Sequence, residues 1–227
     1  MIPDWKLAEN ALQNIRVIGN DNNEPVTIEG FADGLYCIGI GTDAAVFYYA
    51  GTPPYAFKVY SDLALDKKDV ELEIYERIQG SPYFPQCYGA GSHYLVLSLE
   101  VGPTLYDCLL QGIHIPEQVI LDVEAAREFV RSQGLNPRDI HLKNVLMQGD
   151  RAKVIDVSEY IKEGNDHRWE HLAWAYRHIY PSMSSVKVPL WILESIRHWY
   201  NRVDKASFVL ENFSYRLLRL FDSERKS

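Results

Sequence analysis

Residues 138–160 read RDIHLKNVLMQGDRAKVIDVSEY. Asp139 opens the stretch behind an arginine, Asn144 follows five residues later, and Asp156 comes twelve residues after that. Between them lie two short apolar runs, NVLMQ (144–148) and AKVIDV (152–157), parted by Gly149-Asp150. That pattern predicts a β-hairpin. Taken singly, Asp and Asn before a strand are ordinary turn formers. Asp156 is less ordinary, because it follows an apolar strand end, where acids tend to mark a site.

Upstream, three more features fall in a fixed order. GIGTDAAV (39–46) lies between two strand-like runs, LYCIGIG and AAVFYYA. Glycines let backbone N–H groups approach phosphates closely, with φ values that other residues resist. A dinucleotide fingerprint would need a helix directly after the glycines, and a strand follows instead. Lys58 sits in YAFKVY (55–60), alternating with apolar residues, and reads as an edge lysine or as a cation reaching for phosphate. Glu71 precedes Ile74 by three residues and Ile78 by seven. It therefore falls on or beside the apolar stripe of a helix, where a carboxylate needs a partner such as Lys58.

The elements around these motifs follow from spacing. Residues 4–15 predict an amphipathic helix capped by Asp4, with Leu7, Ala11 and Ile15 on one stripe. NDNNEP (20–25) is a turn cluster. Ser61 is placed to cap a helix through about Gln79, ended by Gly80 and Pro82. Strand-like runs follow at 85–91 and 94–101, and Gly102-Pro103 reads as a hinge. Beyond it the pattern turns helical: 115–133, with Val119, Ile120, Val123, Ala126 and Phe129 at helical spacing, then 166–180, 188–201 and 204–221. The expected organisation is an extension over 1–24, a β-rich lobe over 25–101 and a helical lobe over 102–227.

Composition bounds the rest. The 227 residues are 47% hydrophobic and 24% charged, which excludes bulk disorder and leaves an ordinary globular chain. Thirty-one acidic against 23 basic residues give a net charge of −8, so chain-wide attraction to nucleic acid is not expected. Three scattered cysteines (Cys37, Cys87, Cys108) form no zinc spacing and read as free thiols in a reducing cytoplasm. The start has no signal-peptide pattern, and no apolar run approaches the roughly 20 residues that span a bilayer.

In this order the motifs resemble the protein-kinase signature set: Gly-rich loop, strand lysine, helix glutamate, R-D-x-x-x-x-N loop and a strand-terminal aspartate. The resemblance runs over about residues 34–180. It implies an α+β, bilobal protein-kinase-like fold, with a β-rich N-lobe carrying one main helix and a mainly helical, truncated C-lobe. It also implies ATP and Mg²⁺. Gly39, Gly41, Ala44 and Val46 match the phosphate-covering loop, Lys58 the phosphate-binding lysine and Glu71 its helix partner. Glu100 and Val101 match the adenine-binding hinge. Asp139 matches the catalytic aspartate that takes the acceptor's proton, and Asn144 and Asp156 the metal ligands. Arg138 and Asp166 match a structural brace, since DHRWEHLAWAY (166–176) resembles the helix whose leading aspartate supports the catalytic loop.

Departures from the pattern narrow the expectation. Pro137 stands where the family has histidine, and Asp156-Val157-Ser158 replaces D-F-G. His141 stands two residues after Asp139, where serine/threonine kinases carry a lysine, and Lys143 four after it, where tyrosine kinases carry an arginine; both are candidate phosphate contacts. Only nine residues separate Asp156 from Asp166, too few for a long phosphorylatable loop. This trimmed arrangement is similar to small bacterial serine/threonine kinase-like proteins and to Rio-type and lipopolysaccharide-kinase-like branches. The expected function is transfer of the γ-phosphate of Mg-ATP to a hydroxyl, first of all on serine or threonine. Two alternatives stay open: a sugar or lipid-headgroup kinase, and a pseudokinase acting as an interaction module. The acceptor, protein or small molecule, is not identified by the sequence.

Overall fold

Short runs of β-branched and aromatic residues between glycines and prolines fold as antiparallel strands. The computed structural model describes residues 4–22, 24–182 and 186–202. A 3₁₀ turn, Asp4–Ala8, leads into helix α1 (Glu9–Gln13), and strands β1 (Ile15–Ile18) and β2 (Thr27–Gly30) pair antiparallel. The helix expected over 4–15 therefore stops before Ile15, which opens a strand, and Leu7 is exposed. The reason is the tighter winding: in a 3₁₀ turn residues three apart eclipse, and Trp5 and Ala8 are the buried pair.

The main sheet holds β3 (Leu35–Ile40), β4 (Ala44–Tyr49), β5 (Tyr55–Tyr60), β6 (Cys87–Ala90) and β7 (Tyr94–Ser98), in spatial order β3-β4-β5-β7-β6. All neighbours are antiparallel. Helix α2 (Leu65–Arg77) follows a 3₁₀ turn at Asp62–Ala64. Ser61 takes the extended dihedrals of a cap, but its side chain accepts no capping bond, and the helix ends at Arg77 rather than Gln79. Trp5, Ala8 and Leu12 share one core with Val17, Phe47, Phe57 and Val96. Burying a large apolar side chain of this kind contributes about 1.5–3 kcal/mol. Gly89 makes room for this packing, since a Cβ there would lie 2.9 Å from Trp5 Cζ2.

Beyond Val101 the elements are mostly helical. Helix α3 (Leu105–Gln111) starts with a capping box, in which Thr104 Oγ1 accepts from the Asp107 amide and the Asp107 carboxylate accepts from the Thr104 amide. Helix α4 (Glu117–Ser132) buries Val119, Ile120, Val123 and Ala126 of the stripe read from the sequence, but Val130 closes it in place of Phe129, which is only partly buried. The hairpin is formed by β8 (Val145–Gln148) and β9 (Arg151–Val154), and Gly149 supplies the left-handed φ of +66° that its two-residue turn needs. Helix α5 (Arg168–His178) buries Trp169 and Ala173, and α6 (Leu190–Arg202) buries Ile192 and Leu193. The helix expected over 204–221 lies outside the described residues.

The chain divides into two compact units. One runs to Val101 and takes in Glu128–Leu135; the other comprises Gly102–Arg127 and the chain from Asn136 onward. Among the described residues no helix is long and apolar enough to cross a membrane.

One buried carboxylate ties α4 to the hairpin. Asp122 is 2% exposed and accepts from Arg151 Nε at 2.7 Å, the Ala152 amide at 3.0 Å and Gln118 Nε2 at 2.9 Å. Burial pushes its pKa up, but these donors more than offset it, and the carboxyl lies below its ordinary value. Its stabilisation is therefore complete above pH about 4 and is lost as pH falls through the lower folded value. Asp122→Asn should destabilise the chain by about 2–3 kcal/mol, read as a lower urea midpoint at neutral pH, with the gap to wild type closing in acid. An unchanged midpoint would contradict this role.

Candidate active site

In the first unit the sheet register lines up the relevant residues. Gly39 pairs with Val46, Val46 with Lys58 and Lys58 with Leu95, one row across four strands. Lys58 and Tyr60 are two residues apart on β5, so they point to the same face. Glu71 lies on the α2 face that also carries Lys68, Ile74 and Tyr75, all buried. Its side chain is 1% exposed, and Lys58 Nζ donates to Oε1 at 2.6 Å while the Tyr60 hydroxyl donates to Oε2. The glutamate that the helical stripe placed in an apolar setting is thus doubly bonded there.

The glycines differ from expectation. Neither Gly39 nor Gly41 has a left-handed φ. A Cβ on Gly39 would meet Val46 only at 3.8 Å, an ordinary contact, so the hairpin itself does not demand a glycine there. The missing side chain leaves the strand surface clear at Gly39. Ala44 is buried at the start of β4, and Gly41 N donates to its carbonyl at 2.9 Å. Glu100 Oε1 accepts from Ser98 Oγ at 2.6 Å, and Val101 beside it is exposed.

In the second unit the hairpin positions the acidic residues. The pairing Val145↔Val154 is extended when Ile155 N donates to the Asn144 carbonyl at 2.9 Å, so Asn144 and Asp156 emerge at the same open end. Asn144 Nδ2 donates to the Asp139 carbonyl at 3.1 Å. Asp139 has a φ of +56°, a conformation that aspartate tolerates better than most residues. Its amide donates to Asp166 Oδ2 at 2.8 Å, and its Oδ1 is bonded to Arg168 Nη1. Arg138 Nη1 donates to the Glu163 carbonyl.

The segment between Asp156 and Asp166 is strapped down. Val157 and Tyr160 are buried, Asn136 N donates to the Tyr160 carbonyl at 2.8 Å, and Asn136 Nδ2 donates to the carbonyls of Lys162 and Gly164. The position that departs from D-F-G with a valine is thus filled by a core side chain.

Electrostatics follow from this crowding. Burial raises the Asp139 carboxyl above its ordinary range, Arg168 opposes the rise, and Asp156 and Asp166 add to it. Burial, with Arg168 adding, pushes His141 down to about 4. Its Nδ1 accepts from the Lys143 amide at 3.2 Å, and Lys143 Nζ lies 4.5 Å from the Tyr106 ring centroid. A cavity of about 470 Å³ in this unit is lined by Tyr106, His141, Lys143, Arg168, Trp169 and Tyr176, among others.

The donor set suits Mg²⁺. Asn144 commits its amide nitrogen to Asp139, which leaves Oδ1 for a cation, and Asp156 supplies a carboxylate whose Oδ1 also accepts from the Ser158 amide at 3.1 Å. Two hard oxygen ligands leave places for phosphate oxygens and water, the arrangement Mg²⁺ favours. Among the described residues no group of three or more His, Cys, Asp or Glu is set to hold a metal by itself. Three participants escaped the sequence reading: Tyr60, Asn136 and Arg168. Only Arg168 left a signal, as a cation two residues after Asp166 in DHRWEH.

No protein-family model matches the chain. The "Putative serine/threonine-protein kinase YrzF" of Bacillus subtilis (strain 168) is 32% identical over 189 residues, 82% of this chain and 88% of that protein. The dual serine/threonine and tyrosine protein kinase of Gallus gallus is 37% identical over 109 residues, which are 44% of this chain and 12% of that protein. Among solved structures, the co-crystal structure of WbdD and the kinase inhibitor LY294002 covers 97% of this chain and 55% of that chain, with a TM-score of 0.48 and 16% identity.

Breaking the buried pair of the first unit should be costly. Glu71→Gln should lower stability by about 3 kcal/mol in urea unfolding, because the buried pair with Lys58 loses its carboxylate charge. Adding Lys58→Met should recover part of the loss. A single-variant loss below about 1 kcal/mol would show the pair to be no more than a surface ion pair.

Proposed function

The chain belongs to the protein-kinase-like superfamily, and we propose that it moves the γ-phosphate of ATP onto a hydroxyl, with serine or threonine as the leading acceptor. The observation that carries this reading is the cluster in the second unit, where Asp139, Asn144 and Asp156 are held together by Asp166 and the hairpin register. Chemistry of this class is mostly positioning and charge neutralisation. Asn144 and Asp156 would hold Mg²⁺, which when bound neutralises phosphate charge. Lys58, held by Glu71, would bind the α- and β-phosphates beneath the backbone of Gly39–Val46. Backbone groups of Glu100 and Val101 would carry the adenine.

Asp139 would align the acceptor hydroxyl and take its proton. Raised by burial yet paired with Arg168, its carboxyl suits a proton acceptor. The segment after Asp156 is short and bonded along its length, which supports an enzyme assembled without phosphorylation of that loop. ATP and free thiols both suit a cytoplasmic setting.

A second reading, a small-molecule acceptor, is favoured by one observation. The cavity of the second unit is walled by aromatic and aliphatic side chains and reaches His141 and Arg168, beside Asp139. A body of drug-like size fits such a volume better than one peptide side chain.

Asp139→Asn should reduce transfer from Mg-ATP by about 100-fold or more while leaving Mg-ATP affinity within a few-fold of wild type. Phosphate incorporation and calorimetry on the same preparations check both halves. Substantial turnover by the variant would overturn the assignment. Labelling of serine or threonine peptides but of no metabolite would decide against the small-molecule reading.

A further inference from the structure

Three of the four polar atoms of Asp139 are committed. Its amide donates to Asp166 Oδ2 at 2.8 Å, its carbonyl accepts from Asn144 Nδ2 at 3.1 Å, and Oδ1 is bonded to Arg168 Nη1. Oδ2 remains. Arg168 is itself anchored: its amide donates to Asp166 Oδ1 at 3.2 Å, and its Nε lies 3.6 Å from Asp166 Oδ2. One carboxylate thus holds the main chains of both Asp139 and Arg168, and the guanidinium closes the ring back onto Asp139. The neighbouring cation is turned elsewhere, with Lys143 Nζ over the Tyr106 ring.

We propose that Arg168 is a positioning residue for phosphoryl transfer: by holding Oδ1 it fixes the plane of the Asp139 carboxylate and presents Oδ2 to the acceptor hydroxyl. This rests on the phosphotransferase reading above. In the step, the acceptor oxygen bonds to the γ-phosphorus as the bond from that phosphorus to the β,γ-bridging oxygen breaks. ADP leaves with the electron pair of the broken bond, and the hydroxyl proton passes to Oδ2. The terminal torsion of an aspartate is broad, so a carboxylate without a fixed partner samples orientations in which neither oxygen is aligned. A guanidinium offers rigid, coplanar donors that engage Asp139 and Asp166 together, whereas an ammonium is a point charge.

The test uses the full chain, with labelled Mg-ATP as donor and the chain itself plus a degenerate serine/threonine peptide library as acceptors. Arg168→Ala should lower kcat by about 100-fold, the cost of a small misplacement, with the Kd of Mg-ATP within about two-fold of wild type. Guanidinium chloride, far below unfolding concentrations, should return part of the lost rate, and sodium chloride at equal ionic strength should not. Arg168→Lys should fall between the two. Where Arg168→Ala loses its melting transition, Arg168→Gln takes its place in the same comparison.

A wild-type rate in the folded variant would overturn the inference. So would a fall that neither guanidinium nor lysine recovers, which would make the arginine a framework residue. A ten-fold or greater loss of Mg-ATP affinity, about 1.4 kcal/mol, would overturn it as well, by assigning the arginine to the nucleotide. If the wild-type chain itself neither binds Mg-ATP nor transfers phosphate, the phosphotransferase reading fails and the inference falls with it.

Discussion

The hydrogen bond from the Asp139 amide to the Asp166 carboxylate organises the second unit's chemistry. It holds a non-glycine residue at a φ of +56°, a backbone state that few side chains adopt without support. The same carboxylate accepts from the Arg168 amide at the start of α5. With Asp139 fixed, its carbonyl receives the Asn144 amide group, and the β8–β9 register then carries Asp156 to the same end. Four residues of the candidate site are thus positioned from one partly buried acceptor. The bonds from Asn136 to the carbonyls of Lys162 and Gly164 tie the following segment down in the same way.

The first unit depends on a different balance. Glu71 is removed from water, and a buried carboxylate without partners would shed its charge or shift the helix. Lys58 and Tyr60, on one face of β5, satisfy both of its oxygens. Their attraction offsets much of the desolvation cost without exceeding it by a large margin, so the pair is weak evidence for a stabilising role. A more natural role for it is to fix where the Lys58 ammonium sits. That is what a phosphate-binding cation requires, and it makes the pair a matter of geometry more than of net stability.

Much of this was legible in the sequence because it rests on local rules. Runs of β-branched and aromatic residues broken by glycine and proline mark the strands of the main sheet, Gly149-Asp150 marks the hairpin, and the position of Glu71 on an apolar stripe demands a cation. What escaped notice depends on winding or on distant partners. The 3₁₀ turn at the start moved burial from Leu7 to Trp5 and Ala8, and a 3.6-residue template could not show that. Ser61 has the residue type of a cap but makes no capping bond. The Thr104–Asp107 capping box has a spacing that the sequence shows on its own. Neither Gly39 nor Gly41 needs a left-handed φ; a Cβ on Gly41 would crowd the Ala44 carbonyl at 3.3 Å, while one on Gly39 would only touch Val46. Asp122 and Arg168 act through bonds to residues 29 positions away, Arg151 and Asp139, and nothing in a linear pattern pairs them.

Phosphoryl transfer by this chain requires an assembled metal–nucleotide site. Thermal unfolding with ATP, with and without Mg²⁺, on wild type and Asp156→Asn tests that most directly. At a hundred times Kd, ligand should add about 2.7 kcal/mol to wild-type stability, a clear rise in Tm. The Mg²⁺-dependent part of this rise should disappear in Asp156→Asn, while the variant without ligand melts near wild type. No rise at saturating nucleotide, or a rise equal in both proteins and indifferent to Mg²⁺, would contradict it.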